Sequence, residues 1–213
     1  MDIQVWSDVI CPWCYIGKRH LEKAIADFPG VVTVTFRAYQ LDPTPVPHPV
    51  PLTASLAEKF GGPEQAGQMF DHVTALAAAD GLTLNFDRAV LANTFDAHRL
   101  IFWAAQQGRQ GAMLTALQQA HFTDGADIGS RAVLARLAGT LSLDEAAALA
   151  YLESSAGVQE VGGDIAVASE LGITSVPTFV IDGKYAVQGA QEPTMLREAL
   201  TEIARREAVD AGR

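Results

Sequence analysis

Residues 2–7 alternate polar and apolar side chains, which is the period-two pattern of a half-buried β-strand. A helical stripe of apolar residues follows over 15–28 and ends at a Pro-Gly pair. A β-branched run over 31–39 then predicts a second strand. Strand, helix and strand in succession indicate a βαβ unit, whose strands are parallel and joined by a right-handed crossover.

Proline occupies every second position from Pro43 to Pro51. Such a run cannot form a helix or an inner strand, so it predicts a stiff, extended connector. Beyond it, alanine and leucine dominate as far as about Gly157, and the pattern is helical. The predicted helices lie near 53–60, 64–80, 88–107, 110–123, 130–139 and 143–154.

The last segment returns to a mixture of helix and strand. Its pattern predicts a helix over 158–171 closed by Gly172, a strand that Pro177 enters and that ends at Ile181, a returning strand over 184–188 and a final helix from Glu192-Pro193. Asp182-Gly183 is typical of a tight hairpin turn, and the polar tail over 207–213 is expected to fray.

The predicted fold is therefore α/β, interrupted by an all-helical insertion. Residues 1–42 and 158–213 would form one discontinuous domain. Residues 43–157 would form the connector and the insertion domain. The length of 213 residues allows one large or two small domains with an ample core.

Composition and charge argue against several classes of partner and location. The formal net charge is −10, which argues against nucleic acid or an anionic membrane as a partner. No apolar run approaches the roughly 20 residues that a membrane-spanning helix needs. The opening residues lack the basic and apolar regions of a secretory signal. We therefore expect a cytoplasmic protein.

The two cysteines of the chain, Cys11 and Cys14, stand as C-x-x-C between the first predicted strand and helix. At such a junction this spacing indicates a thiol–disulfide redox pair. One helical turn brings the two sulfurs within bonding reach, and the free N–H groups of the helix start favour a thiolate on Cys11. Pro12 suits the first helical turn.

Two simpler interpretations fit the cysteines poorly. A zinc site needs four ligands, and the five histidines show no ligand-pair spacing, so we expect no metal. A structural disulfide across so short a loop would restrain the unfolded chain little.

Other side chains have two interpretations each. Asp8 could handle protons for the thiols, or be a turn acid bonded to local backbone. His98 could act in catalysis, or be an ordinary helix residue. His121 could face the thiols, although a helix end with a glycine cap is the preferred interpretation. Lys18 and Arg19 could stabilise the thiolate of Cys11, although a solvated face is the preferred interpretation. Local sequence leaves Pro177 open between a cis bond and a trans proline at a strand start.

Taken in order, these elements resemble the thioredoxin-fold DsbA family over nearly the entire chain. The motifs over 7–17, 93–100 and 172–177 are similar to its cytosolic FrnE-like branch, described as dithiol oxidoreductases or disulfide isomerases. The resemblance implies that Cys11 attacks, that Cys14 resolves the mixed disulfide, and that a cis Val176-Pro177 bond faces them. The substrate-binding residues that we expect are Pro12, Trp13, His98, Val176 and Pro177.

The expected partners are protein or small-molecule thiols and disulfides. No bound cofactor is expected, and glutathione is the candidate reductant or co-substrate. Trp13 stands where periplasmic DsbA-type sites carry a histidine, which argues against a strongly oxidising site.

Two other functions stay open at this point. One is a glutathione-dependent transferase or isomerase resembling the kappa class, in which a serine replaces the first cysteine, so the presence of Cys11 argues against it. The other is a non-enzymatic binding module whose cysteines sense the redox state.

Overall fold

A four-stranded sheet lies at the centre of the structure, a computed structural model that describes residues 1–211. Its strands stand in the order β2-β1-β3-β4. β1 and β2 are parallel, as the βαβ prediction requires, and β3 runs antiparallel to both β1 and β4. The strands are β1 (Asp2–Ser7), β2 (Thr33–Ala38), β3 (Thr178–Ile181) and β4 (Tyr185–Gln188).

Nine α-helices surround the sheet within residues 1–211. None of these helices is long and apolar enough to cross a membrane. They are α1 (Pro12–Ala26), α2 (Leu52–Lys59), α3 (Pro63–Ala79), α4 (Phe95–Ala105), α5 (Gln110–Gln119), α6 (Arg131–Thr140), α7 (Glu145–Glu153), α8 (Val158–Glu170) and α9 (Pro193–Ala211).

The sheet is covered on both faces because neighbouring residues of β1 point to opposite sides. Ile3 and Val5 lie in one core cluster with side chains of α1 and α9. Trp6 points the other way and packs with Ala168 of α8. The indole N–H of Trp6 also donates to the carbonyl oxygen of Asp164, which fixes α8 to this face.

The hairpin between β3 and β4 has the predicted turn. Asp182 and Gly183 both have positive φ, 49° and 67°, which matches the right-handed twist of the two strands. The N–H of Lys184 closes the turn on the carbonyl of Ile181, at 3.1 Å.

The insertion between β2 and α8 holds α2 to α7 and has its own buried clusters. Arg99 on α4 organises one end of it. Its side chain is 2% exposed. The guanidinium donates hydrogen bonds to the carboxylate of Asp96 and to four main-chain carbonyls around the end of α7. Those acceptors are Tyr151, Leu152, Ser154 and Ala156. The division of the chain into two domains stays a prediction.

The helix predicted over 88–107 is wrong at its start, because α4 begins only at Phe95. The preceding backbone bonds the connector instead of continuing a helix. The N–H of Leu91 donates to the carbonyl of Val50, and the N–H of Leu52 donates to the carbonyl of Ala89. The helix predicted over 110–123 also changes character, since a π-helical turn spans Ala120–Asp124.

The fraying predicted over 207–213 is wrong as far as Ala211, since α9 continues to that residue. Glu207 explains part of this order, because its carboxylate accepts hydrogen bonds from Lys184 and from the hydroxyl of Tyr185 on the hairpin. The last two residues of the predicted tail lie outside the described residues.

We predict that Arg99→Lys lowers the free energy of unfolding by about 3 kcal/mol, because an ammonium cannot reach the same set of carbonyls and leaves buried acceptors unpaired. Urea unfolding followed by circular dichroism measures the loss. The matched control is Arg109→Lys at the exposed start of α5, which should change stability by less than about 0.5 kcal/mol. Equal effects of the two variants would contradict the role given to Arg99.

Candidate active site

The turn from β1 into α1 places the two cysteines. Cys11 is the N-cap residue of α1, with an extended backbone, and Pro12 is its first helical residue. The N–H of Cys14 donates to the carbonyl of Cys11 at 3.0 Å, so Cys14 lies one turn inside the helix. Both thiols are free. The helix starts at Pro12, as predicted from the motif, and the whole C-x-x-C motif belongs to the strand-to-helix junction.

The two thiols differ in their surroundings. Cys11 borders a cavity, whereas Cys14 is buried beneath it. Burial raises the pKa of the Cys14 thiol well above its usual value of 9.0, and the hydrogen bond to Cys11 and the charges of Cys11 and Asp8 raise it further. Cys14 is therefore a thiol, not a thiolate, at neutral pH.

The loop before β3 lies against Cys11. The Val176-Pro177 peptide bond is cis, as the family resemblance implies, and the thiol of Cys11 is 3.8 Å from the carbonyl oxygen of Val176. Pro177 packs directly on α1 at Gly17. A Cβ atom added to Gly17 would lie 2.8 Å from Cγ of Pro177, so this close approach requires glycine.

A mostly apolar cavity of about 390 Å³ opens beside Cys11, Trp13 and Val176. Its opposite wall comes from the insertion. The Lys59–Asp42 ion pair, with a distance of 2.6 Å between Nζ and Oδ2, stands at its edge. The apolar side chains of that wall are Leu52, Leu56, Phe60, Met69, Phe70, Phe86 and Leu91.

Asp8 is fully buried below the cysteines. Its Oδ2 accepts the N–H of Leu41 at 2.8 Å, and its main-chain carbonyl accepts the N–H of Cys11. Its Oδ1 is 3.3 Å from Nε2 of His98. The interpretation of Asp8 as a turn acid bonded to local backbone is wrong, because the partners of its carboxylate come from distant parts of the chain. Its charge also acts on Cys14.

His98 is buried behind Asp8 and does not line the cavity. Its Nε2 donates to the carbonyl of Tyr39 at 2.9 Å and lies near Asp8. The neighbouring Asn93 ties the start of α4 to the connector through the carbonyls of Pro43 and Thr44. The structure thus places the predicted substrate-binding His98 among groups that hold the insertion against β1, and substrate contact by His98 stays a prediction.

His121 and Gln118 are buried polar residues, and the sequence interpretation considered only the first of them. Both are fully buried, and none of their side-chain nitrogen and oxygen atoms bonds another described residue. Burial lowers the pKa of His121 to about 4, so its imidazole is neutral. The preferred interpretation of this segment agrees with the structure, since the π-helical turn ends at Gly125 with φ 71°. The sequence signal was two polar residues, Gln118 near the end of α5 and His121 in the π-helical turn, at helical spacing from Leu114 and Leu117.

The solvated face predicted for Lys18 is wrong. Its side chain is 7% exposed and pairs with Glu22 on the same helix. Its ammonium also lies 5.9 Å from the ring centre of Phe36, so packing against β2 covers this face of α1.

Among residues 1–211, no group of three or more His, Cys, Asp or Glu side chains is placed to hold a metal ion.

A sheet of this order, with C-x-x-C at the start of α1 and a cis-proline loop against the first cysteine, defines a thioredoxin-fold dithiol protein. A family model of the DSBA-like thioredoxin domain matches residues 2–201. The chain belongs to this family.

Relatives cover the chain almost completely. The Bacillus subtilis protein YwbO is 27% identical over 203 residues, which are 94% of this chain and 96% of YwbO. The solved structure of a probable DsbA oxidoreductase, SCO1869 from Streptomyces coelicolor, superposes with a TM-score of 0.90. It is 38% identical, with 95% of this chain and 89% of that chain covered.

A second solved structure shares the fold at lower identity. It is the cytosolic disulfide reductase DsbM from Pseudomonas aeruginosa, solved with glutathione. The TM-score is 0.69 and the identity 21%, with 96% of this chain and 100% of that chain covered.

We predict that Gly17→Ala slows the reaction of Cys11 with a small disulfide probe by about tenfold or more, because the added methyl group displaces Pro177. The substitution would otherwise favour the helix by about 1 kcal/mol. Single-turnover kinetics and urea unfolding together separate the two effects.

The control for this variant is Gly163→Ala on α8. Gly163 is exposed, and no atom lies within 4 Å of an added Cβ. This change should stabilise the protein and leave Cys11 reactivity unaltered. A Gly17→Ala variant that reacts at the wild-type rate would contradict the importance of the Pro177 packing.

Proposed function

We propose that this protein is a thiol–disulfide oxidoreductase or isomerase that acts by mixed-disulfide exchange at Cys11 and Cys14. One observation carries the proposal: Cys11 stands at the start of α1, beside an open cavity and against the cis Val176-Pro177 loop, while Cys14 lies buried one turn below. The arrangement offers one thiol to a substrate and keeps the second one for resolution.

The exchange consumes no cofactor. The thiolate of Cys11 attacks one sulfur of a substrate disulfide, a new S–S bond forms to Cys11, and the other substrate sulfur leaves as a thiolate. Cys14 then attacks the sulfur of Cys11 and releases the reduced substrate, so the dithiol loses two electrons to the substrate. Alternatively, a second thiolate of the substrate attacks the substrate sulfur of the mixed disulfide before Cys14 reacts. A new disulfide then forms within the substrate, Cys11 leaves as a thiolate, and the substrate is isomerised.

The environment of Cys14 orders these steps. In the free dithiol, the hydrogen bond to Cys11 and the charge of Cys11 both raise the pKa of Cys14. Once Cys11 has formed the mixed disulfide, its charge is gone and Cys14 loses its proton more easily. Burial, the largest cause of the raised pKa, remains in the mixed disulfide, but the two contributions of Cys11 are removed, so Cys14 is a better nucleophile there than in the free dithiol.

The cavity indicates the kind of group that sits beside the reacting sulfur. Trp13 and the apolar wall favour an apolar side chain or organic group next to the substrate disulfide. Pro12, Trp13, Val176 and Pro177 are the residues that we propose contact it. Protein and small-molecule disulfides both meet this description.

A cytoplasmic location and membership of the FrnE-like branch stay predictions.

A glutathione-dependent reaction is the second candidate, and the structure of DsbM with glutathione favours it. There, glutathione would act as reductant or co-substrate at Cys11, and Cys14 would be dispensable. The two candidates therefore differ in what they require of Cys14.

We predict that Cys11→Ser abolishes exchange with a peptide disulfide, whereas Cys14→Ser accumulates the mixed disulfide at Cys11. Intact-protein mass spectrometry after reaction with the peptide detects the trapped adduct. A Cys11→Ser variant with wild-type activity would contradict the mechanism. A Cys14→Ser variant with full glutathione-dependent turnover would support the second candidate instead.

We predict that Asp8→Asn shifts the pH profile of the resolving step to lower pH. The negative charge of Asp8 raises the pKa of Cys14, so its removal lets Cys14 ionise more readily. The measurement preloads Cys11 with a chromophoric thiol and follows its release across pH. Asp71→Asn, an exposed carboxylate on α3, is the control and should leave the profile unchanged. An unshifted Asp8→Asn profile would contradict an electrostatic effect of Asp8 on Cys14.

A further inference from the structure

His20 joins three parts of the molecule at one buried point. It lies on α1, six residues after Cys14, and is 5% exposed. Its Nδ1 is 2.8 Å from the carbonyl oxygen of Gln191, in the segment between β4 and α9. Its Nε2 is 2.5 Å from Oδ2 of Asp80, the residue that caps the end of α3. One imidazole thus connects the cysteine-bearing helix, the insertion and the segment that precedes α9.

Both partners of His20 are hydrogen-bond acceptors. The carbonyl of Gln191 has no proton to give. The carboxyl of Asp80 is ionised, because the hydrogen bonds from Lys23 and His20 outweigh burial and lower its pKa. A neutral imidazole has one N–H and one lone pair, so it can satisfy only one of these acceptors. The two bonds form together only when both ring nitrogens carry a proton.

The segment that His20 holds also supports the cis-proline loop. The N–H of Gly189 donates to the carbonyl of Pro177 at 2.8 Å, and the N–H of Gln191 donates back to Gly189. Ala190 between them lies 3.5 Å from the position that a Cβ on Gly17 would take. Two consecutive main-chain hydrogen bonds, from Gln191 to Gly189 and from Gly189 to Pro177, therefore connect the residue that His20 holds to the cis-proline loop.

We propose that doubly protonated His20 is a positioning residue, which holds the 189–191 segment on α1 and through it keeps Pro177 in place beside Cys11. Loss of one proton turns a ring nitrogen into an acceptor that faces another acceptor, so one of the two bonds opens and the loop loosens. The proposal rests on the exchange reaction at Cys11 for its effect on rate, but the protonation of His20 can be measured independently.

The charged groups around His20 come from two helices. Asp80 faces it from α3, and Lys23 on α1 pairs with the other oxygen of Asp80, at 2.5 Å. The third neighbour, the carbonyl of Gln191, is uncharged. Asp80 is therefore the group that makes the second proton on His20 necessary. A substitution of Asp80 tests whether that proton is needed.

The central variant is Asp80→Asn. An asparagine amide can donate to Nε2 of a neutral imidazole, while Nδ1–H still donates to Gln191. The connection then survives without the second proton. Asp71→Asn, exposed on the same helix, is the matched control. Urea unfolding of each variant verifies that it is folded before its kinetics are compared.

The first measurement is nitrogen-15 NMR of the imidazoles at pH 6. We expect two hydrogen-bonded ring N–H signals from His20 in the wild type, assigned by their loss in His20→Gln. A single N–H signal from His20 would overturn the proposal. This result does not depend on any catalytic activity, so it remains informative even if exchange at Cys11 is absent.

The second measurement is the rate at which Cys11 reacts with a disulfide probe, from pH 5 to pH 9, in the wild type and in Asp80→Asn. Thiolate formation at Cys11 raises the rate with pH in both proteins and largely cancels in the ratio of their rates. We expect the ratio of wild type to Asp80→Asn to fall by about tenfold as pH rises, which corresponds to one hydrogen bond of ordinary strength. A ratio that stays constant with pH would overturn the positioning role, as would a fall of equal size in the ratio of wild type to Asp71→Asn.

Discussion

The structure depends on the burial of one carboxylate, that of Asp8, at the end of β1. An ionised carboxylate without solvent is tolerated only when hydrogen bonds replace its water. The N–H of Leu41, where the chain leaves β2 for the connector, donates to one oxygen of Asp8, and Nε2 of His98 on α4 lies 3.3 Å from the other. The carbonyl of the same residue receives the N–H of Cys11. Satisfying one acid therefore fixes the positions of the connector, the insertion and the start of α1.

The candidate active site is divided between two parts of the chain. The sheet and α1 supply the thiols and the cis-proline loop, and the insertion supplies most of the apolar wall. The reactive end of such a site is only as well ordered as the contacts between its halves. His20 and His98 are both such contacts: His20 links α1 to Asp80 of the insertion, and His98 of the insertion bonds Tyr39 after β2 and lies beside Asp8 at the end of β1.

Much of the fold could be predicted because its signals are local. Alternation marks β1, and Asp182-Gly183 supplies the positive φ values that the hairpin needs. The C-x-x-C spacing alone places two sulfurs one helical turn apart, whatever surrounds them. Each of these features depends on residues within a few positions of one another, so the sequence contains everything required to infer them.

Only the tertiary structure decided which partners the buried polar groups have. His98 meets Asp8 across 90 residues, and His20 meets Asp80 and Gln191 across 60 and 171. The late start of α4 has the same origin, because backbone that could have continued a helix bonds the connector instead. A buried polar group must find a partner wherever the folded chain brings one, and short-range patterns carry no record of that distance. The sequence by itself thus determined the strands, the dithiol and its helix, and long-range packing determined how the hairpin joins β1 and which side chains support the site.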